Sequence, residues 1–233
     1  MGTLFLVATP IGNLEDISAR ALRILGQVSL IAAEDTRHTG KLLEYYKIHT
    51  ALTSYHEHNK LVKLDRILAA LDQGDVALVS DAGTPALNDP GYELVQAVLA
   101  AGHPVSPIPG PSAPLAALVV SGLPTDAFLY LGYLPRKTGE RQKLLTRIEP
   151  LPYTLLFLET PHRLLPALQD LQETLGDRRI CVARELTKLY EDIFRGRISQ
   201  AHTHYIDQPP RGEFCLVVEG CLEKQEIWSE AQV

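Results

Sequence analysis

Residues 76–91 read VALVSDAGTPALNDPG. Val76 to Val79 is short and wholly apolar, as strands buried on both faces of a parallel sheet are. Ser80 to Gly91 is rich in Gly, Pro, Asn and Asp, so the chain turns there. A helical pattern from Tyr92 to Ala101 follows and stops at Gly102. Strand, small-residue loop and helix make the repeating step of an α/β sheet. Loops at the carboxyl ends of such strands are where open α/β sheets hold ligands.

The same step recurs outward from this stretch. VATPIGN (Val7–Asn13) follows an apolar run from Leu4 to Ala8, and EDTRHTG (Glu34–Gly40) follows Ser29 to Ala33. IPGPSA (Ile108–Ala113) follows Val105 to Ile108, and LETPHR (Leu158–Arg163) follows Thr154 to Leu158. All of these loops are expected at one edge of one sheet. Between them lie helical patterns. Asp16 is placed to cap a helix with an apolar stripe of Ile17, Ala21, Leu22 and Leu25. Thr39 to Tyr46 is a second helix, and Leu61, Leu64, Ile67, Leu68 and Leu71 form the face of a third, ended by Gly74. The alternation βαβαβαβ predicts a parallel sheet for the first half. The second half differs. Strands at Phe128–Leu131, Ile180–Ala183, Tyr190–Arg195 and Phe214–Val218, with helices at Gly139–Ile148 and Pro161–Leu175, predict a mixed sheet. The expectation is two α/β domains, residues 1–112 and 113–233.

The 233 residues suffice for such a pair. With 22 Lys and Arg against 28 Asp and Glu the formal charge is -6, so any nucleic-acid contact must use a local basic patch. Cys181, Cys215 and Cys221 lack metal-ligand spacing, and an odd count without a signal-peptide pattern fits a reducing cytoplasm. No stretch has the length of a membrane span.

Several motifs carry polar groups a turn does not need. Gly83 lets the backbone bend sharply beside the acceptor Asp81, although a plain turn with a capping Asp uses the same residues. Ser112 and Ala113 stand at a helix start, where small side chains and free N–H groups suit a carboxylate; a capped helix with proline in its first turn is the alternative. Pro10 and Ile11 form a rigid apolar lip. Glu34, Asp35, Arg37 and His38 cluster after a strand, as a ligand site or as a surface ion-pair cluster. His56 and His58 alternate without a third ligand nearby, so no metal is expected. Arg136, Lys137, Arg141 and Lys143 surround a glycine, suited to clamp phosphates; a solvated helix face is the plainer reading. Arg178, Arg179, Arg195 and Arg197 are an alternative place for phosphates.

Eight segments occur in order: VATPIGNLEDISARA, AAEDTRHTGKLL, SYHEHN, VALVSDAGTPALNDPG, PIPGPSA, SGLPTDAFLYLGYLPRKTGERQ, ETPHRL and RELTKLYED. Together they resemble the ribosomal RNA small subunit methyltransferase I family of the tetrapyrrole methylase superfamily. The resemblance runs from about Leu4 to Gly220. It implies an S-adenosylmethionine-dependent enzyme that methylates the ribose 2′-hydroxyl of a cytidine in 16S rRNA. It also implies a two-domain fold with the cofactor between the domains, usually a homodimer. By this resemblance Ser80, Asp81, Ala82 and Gly83 line the cofactor and Glu159 lies near it. Longer members carry a helical extension after the second domain, so the two-domain body is expected to carry the RNA contacts.

Such a reaction needs the 2′-oxygen aligned and its proton removed. Asp35 and His56 are the candidate bases, with Arg37 or Lys188 offsetting the developing charge. Two rivals remain: a corrin-type tetrapyrrole methylase, which needs no phosphate clamp, and a cofactor-binding regulatory module without catalysis.

Overall fold

The computed structural model describes residues 1–222, except for the side chains of Lys60 and Leu61. The expected contribution of Leu61 to a helical face therefore lies outside the described residues. The chain divides into two compact units, Met1–Ser112 and a second that begins at Ala113.

The first unit alternates β1 (Leu4–Val7), α1 (Ala19–Gln27), β2 (Leu30–Ala33), α2 (Thr36–Tyr45), β3 (Leu52–Ser54), α3 (Lys60–Gln73), β4 (Val76–Val79), α4 (Tyr92–Ala100) and β5 (Val105–Ile108). All pairs are parallel, in the order β3-β2-β4-β1-β5. The apolar run of β4 is explained by its central place. Ala77 and Val79 pack with Ala21, Leu25, Leu42 and Leu43 from α1 and α2 on one face. Val76 and Leu78 pack with Ile67, Leu71, Leu94 and Val98 from α3 and α4 on the other. Successive strand side chains point to opposite faces, so a strand clothed on both sides must be apolar throughout.

The second unit opens with α5 (Ala113–Ser121), then β6 (Phe128–Tyr133), α6 (Thr138–Ile148), β7 (Thr154–Glu159), α7 (Pro161–Leu175), β8 (Arg179–Arg184), β9 (Asp192–Arg197), α8 (Ile198–Asp207) and β10 (Phe214–Val218). Its sheet runs β6-β7-β10-β8-β9. Among the described residues only β6 and β7 pair in parallel here; the remaining pairs are antiparallel, so the sheet is mixed as expected.

Three local expectations are corrected. Asp16 does not cap α1. It ends a 3₁₀ turn, Leu14–Asp16, and the hydroxyl of Ser18 accepts the Ala21 N–H at 3.0 Å. LETPHR follows β7 and so belongs to the second sheet, not to the edge shared by the other loops. The place at that edge is taken by SYHEHN, which follows the three-residue strand β3. Strand β9 starts later than expected because residues 185–191 form a loop, with Glu185 and Thr187 at positive φ (49° and 65°). No helix among the described residues is long and apolar enough to cross a membrane.

Candidate active site

The loop after β4 ties together the carboxyl edge of the first sheet. Thr9, just past β1, exchanges two backbone hydrogen bonds with Gly83, at 2.9 and 3.0 Å, and its hydroxyl donates to the Ser80 carbonyl. On the other side, Asp81 accepts the Asp35 N–H at 3.0 Å, while the Asp81 N–H points to Glu34 Oε2 at 3.4 Å. The Thr84 hydroxyl donates to the Pro111 carbonyl at 3.3 Å, which brings in the loop after β5. Gly83 has φ +79°, a conformation that L side chains rarely adopt. Ile11 stands beside it, since a Cβ built on Gly83 would lie 3.5 Å from Ile11 Cγ2. At Gly110 a Cβ would come within 3.0 Å of the Ala8 Cβ, so the Pro-Gly turn needs glycine to pass the end of β1. Pro10, Ser80, Asp81, Ala82, Gly83 and Ser112 therefore belong to loops that meet at this one edge.

The edge is acidic, and its carboxylates are not equivalent. The Arg37 fork grips Asp35 through Nε at 3.1 Å and Nη2 at 2.7 Å, and Asp35 also accepts the Arg37 N–H as the cap of α2. These bonds hold the Asp35 carboxyl far below the usual carboxylate range. The Arg37 fork thus occupies both oxygens of Asp35, the residue expected to take up the ribose proton. Burial pushes its neighbour Glu34 up, with Asp81 close by. Asp89, hydrogen-bonded to Ser80, is pushed up to about 6 by burial. The sequence singles out Glu34 only as a member of the EDTRHTG cluster and Asp89 not at all; burial, which sequence does not print, sets them apart. The His56 imidazole accepts from the Asn59 amide at Nε2 (3.0 Å), while Nδ1 is buried without a partner among the described residues. The Ser112 hydroxyl is likewise buried and unpartnered among the described residues.

In the second unit, Glu159 ends β7, fully buried. Its Oε1 accepts the Thr160 N–H at 3.0 Å and lies 3.2 Å from Arg163 Nε, while Oε2 has no partner among the described residues. Burial pushes its carboxyl up. Lys188 Nζ lies 2.9 Å from both Glu185 and Glu213. Burial pushes the ammonium down, and these two carboxylates outweigh that and leave it raised. Its charge, expected beside a developing alkoxide, is offset here by these two carboxylates. Ala113 opens α5.

The basic segment also divides. Arg136, Lys137 and Lys143 are exposed, and Lys137 has Glu140 3.4 Å away. Arg141 is buried, with 3% exposure, and forms an ion pair with the equally buried Asp170. Its remaining donors reach the carbonyls of Pro135 and Arg136 and the Thr138 hydroxyl. A side chain so committed does not reach a phosphate, so Arg141 is removed from the expected clamp. It instead holds in place the loop that presents Arg136 and Lys137. Among the described residues no cluster of His, Cys, Asp and Glu is arranged to hold a metal.

The family model for Tetrapyrrole (Corrin/Porphyrin) Methylases matches residues 3–202. The Ribosomal RNA small subunit methyltransferase I of Halalkalibacterium halodurans is 50% identical over 99% of this chain and 81% of its own length. The chain belongs to that family. The Thermotoga maritima member of the Ribosomal RNA small subunit methyltransferase I family is 46% identical over 94% of this chain and 99% of its own. A uroporphyrin-III-C-methyltransferase from Thermus thermophilus has a TM-score of 0.64 at 21% identity, covering 99% of this chain and 98% of its own. The methyltransferase CobJ reaches 0.68 at 20% identity, with 95% of each chain covered. The last two share the fold alone. Identity of 50% and 46% to members of the small subunit methyltransferase I family, against 21% and 20% to these two solved enzymes, leaves the corrin rival not favoured.

Proposed function

We propose that this methyltransferase moves a methyl group from S-adenosylmethionine to the ribose 2′-hydroxyl of a cytidine in 16S rRNA of the small ribosomal subunit. The observation that carries the reading is the acidic, glycine-turned edge built around Gly83. Glu34, Asp81 and Asp89 supply acceptors for a ligand that bears an ammonium, a sulfonium and a ribose diol. Gly83 turns the backbone at φ +79°, and the buried Ser112 hydroxyl has no partner among the described residues. The residues present therefore fit that donor. Pro10, Ser80, Asp81, Ala82, Gly83, Ser112, Ala113 and Glu159 are the proposed contacts.

When bound, the donor supplies a methyl group that is already electrophilic. The chain's work is alignment and proton removal. Glu34 is the group proposed to take the ribose proton, because burial raises its carboxyl while the Arg37 fork holds that of Asp35 down. The Asp35–Arg37 pair keeps a fixed charge pattern at the mouth of the same edge and holds α2 in register. Arg136, Lys137 and Lys143 meet RNA phosphates, which an overall charge of -6 otherwise repels. A homodimer and a cytoplasmic location complete the proposal on the strength of the family.

The test offers labelled S-adenosylmethionine with small ribosomal subunits in one reaction and a porphyrin precursor in another. Label is expected in RNA. Label in the tetrapyrrole alone would reinstate the corrin reading, and cofactor binding with no transfer would favour the regulatory module.

A further inference from the structure

We propose that the second unit carries a phosphate-binding pocket where β8, β9 and the end of α5 meet, and that it grips consecutive backbone phosphates of the RNA. The choice of RNA rests on the function proposed above; the pocket's affinity for phosphate does not. A cavity of about 380 Å³ is lined by Arg179, Arg195 and Arg197, with Ser121, Gly122 and Gln200 beside them.

The strand register makes this corner unusual. Arg179 stands directly opposite Arg197, and Cys181 opposite Arg195. Alternation along a strand puts Arg195, Arg197 and Arg179 on one face. Like charges directly opposite one another destabilise a sheet. Only part of the charge is offset. Glu219 accepts from Arg179 at 2.8 Å and 2.7 Å. Arg195 donates twice to the Val120 carbonyl, at 2.9 and 2.5 Å, and Arg197 donates to the Asp177 carbonyl at 2.6 Å. The Asp177 carboxylate itself is engaged by the Ser199 N–H and hydroxyl. Among the described residues, neither Arg195 nor Arg197 has a carboxylate within ion-pair distance.

Those carbonyl bonds fix the guanidinium groups without neutralising them. Most of the five N–H donors of each remain for a ligand, in the planar fork that matches phosphate oxygens. Arg195 and Arg197 are two residues apart on one strand, a rise of about 6.7 Å. That is comparable to the step between neighbouring phosphates of a single strand, which favours a polynucleotide backbone over a lone anion. The mouth is open at Gly122, where an added Cβ would meet nothing within 4 Å.

The full chain is tested for binding to 16S rRNA or small subunits across a salt series. Losing two phosphate contacts to a single strand lowers the slope of log affinity against log salt by about 1.4. Between 50 and 200 mM salt the double variant Arg195→Gln/Arg197→Gln should then lose about sevenfold less affinity than the parent. Arg195→Lys/Arg197→Lys keeps the charges and should keep the slope. Should the Gln pair fail to fold, Gly122→Asp places a carboxylate at the mouth, at a φ of +74° that Asp adopts more readily than most L residues, and should weaken RNA binding. An unchanged slope in the folded Gln pair, or unchanged RNA binding by folded Gly122→Asp, overturns the proposal. So does a pocket that takes inorganic pyrophosphate, seen by NMR, while RNA binding ignores the arginines. If the parent methylates subunits yet the slope is unmoved, only the pocket fails. If the slope moves and no methyl is transferred, only the functional proposal fails.

Discussion

Arg141→Met separates two readings of the basic segment. In the sequence Arg141 looks like a phosphate contact. In the fold it is buried against Asp170, with two carbonyls and a hydroxyl on its other donors. Removing one partner of such a pair leaves the other charge buried and uncompensated, at a cost of about 3–5 kcal/mol. Gln142 still reaches the other Asp170 oxygen at 3.1 Å, which favours the lower end. At roughly 2–4 °C per kcal/mol for a protein of this size, the melting temperature should fall by about 6–20 °C. Urea unfolding gives the free energy directly, with an unchanged m-value expected. The double variant Arg141→Met/Asp170→Leu should regain much of the loss, since apolar replacement of a whole buried pair is often neutral. The exposed pair behaves in the opposite way: Arg136→Gln/Lys137→Gln should leave stability within about 0.5 kcal/mol and reduce the salt dependence of RNA binding. A cost below about 1 kcal/mol for Arg141→Met, with weakened RNA binding, would refute the reasoning and return Arg141 to the clamp.

Gly83→Val puts a β-branched side chain at φ +79° in the loop proposed to meet the cofactor. Calorimetry should show affinity for S-adenosylmethionine down by at least about tenfold, equivalent to ~1.4 kcal/mol; undiminished affinity in the folded variant moves the site elsewhere. Glu34→Gln should lower turnover by about a hundredfold or more, the scale of a lost general base, while Asp35→Asn costs less. The reverse order in single-turnover rates would reinstate Asp35. Asp89, raised to about 6, binds its proton more tightly in the folded chain than in the unfolded one. Its contribution to stability therefore falls as pH rises from the ordinary carboxylate range through about 6, and is constant above. Asp89→Asn should remove that component, so that the gain in stability over the parent grows between about pH 4 and 6. A gain independent of pH would show that Asp89 does not titrate there.

What the sequence disclosed follows from what each signal encodes. VALV announces a buried strand because burial on two faces leaves a wholly apolar run, as it also does in LIAA of β2. The bounds of α7 and β10 were read correctly because Thr-Pro opens the one and Gly closes its far end, while an apolar run defines the other. Strand β3 stayed hidden because three residues, LTS, are too few for a period. Helix α8 was missed because its apolar positions, Ile198, Ala201 and Tyr205, are diluted by histidines and threonine. The division of labour within the site was harder still. Glu34 and Asp35 are adjacent carboxylates, and only burial and the Arg37 fork tell them apart. Arg141 finds its partner 29 residues away, so its charge was visible and its burial was not.

The central claim is methylation of an RNA ribose, and nucleoside analysis of the product tests it most directly. Small subunits from cells lacking such an enzyme would be incubated with this protein and labelled S-adenosylmethionine, and their 16S rRNA digested and resolved by mass spectrometry. The account predicts one labelled nucleoside, 2′-O-methylcytidine, formed by the parent chain and strongly reduced in Gly83→Val and Glu34→Gln. Label on a base, on a ribose other than that of cytidine, or nowhere in the RNA would contradict it.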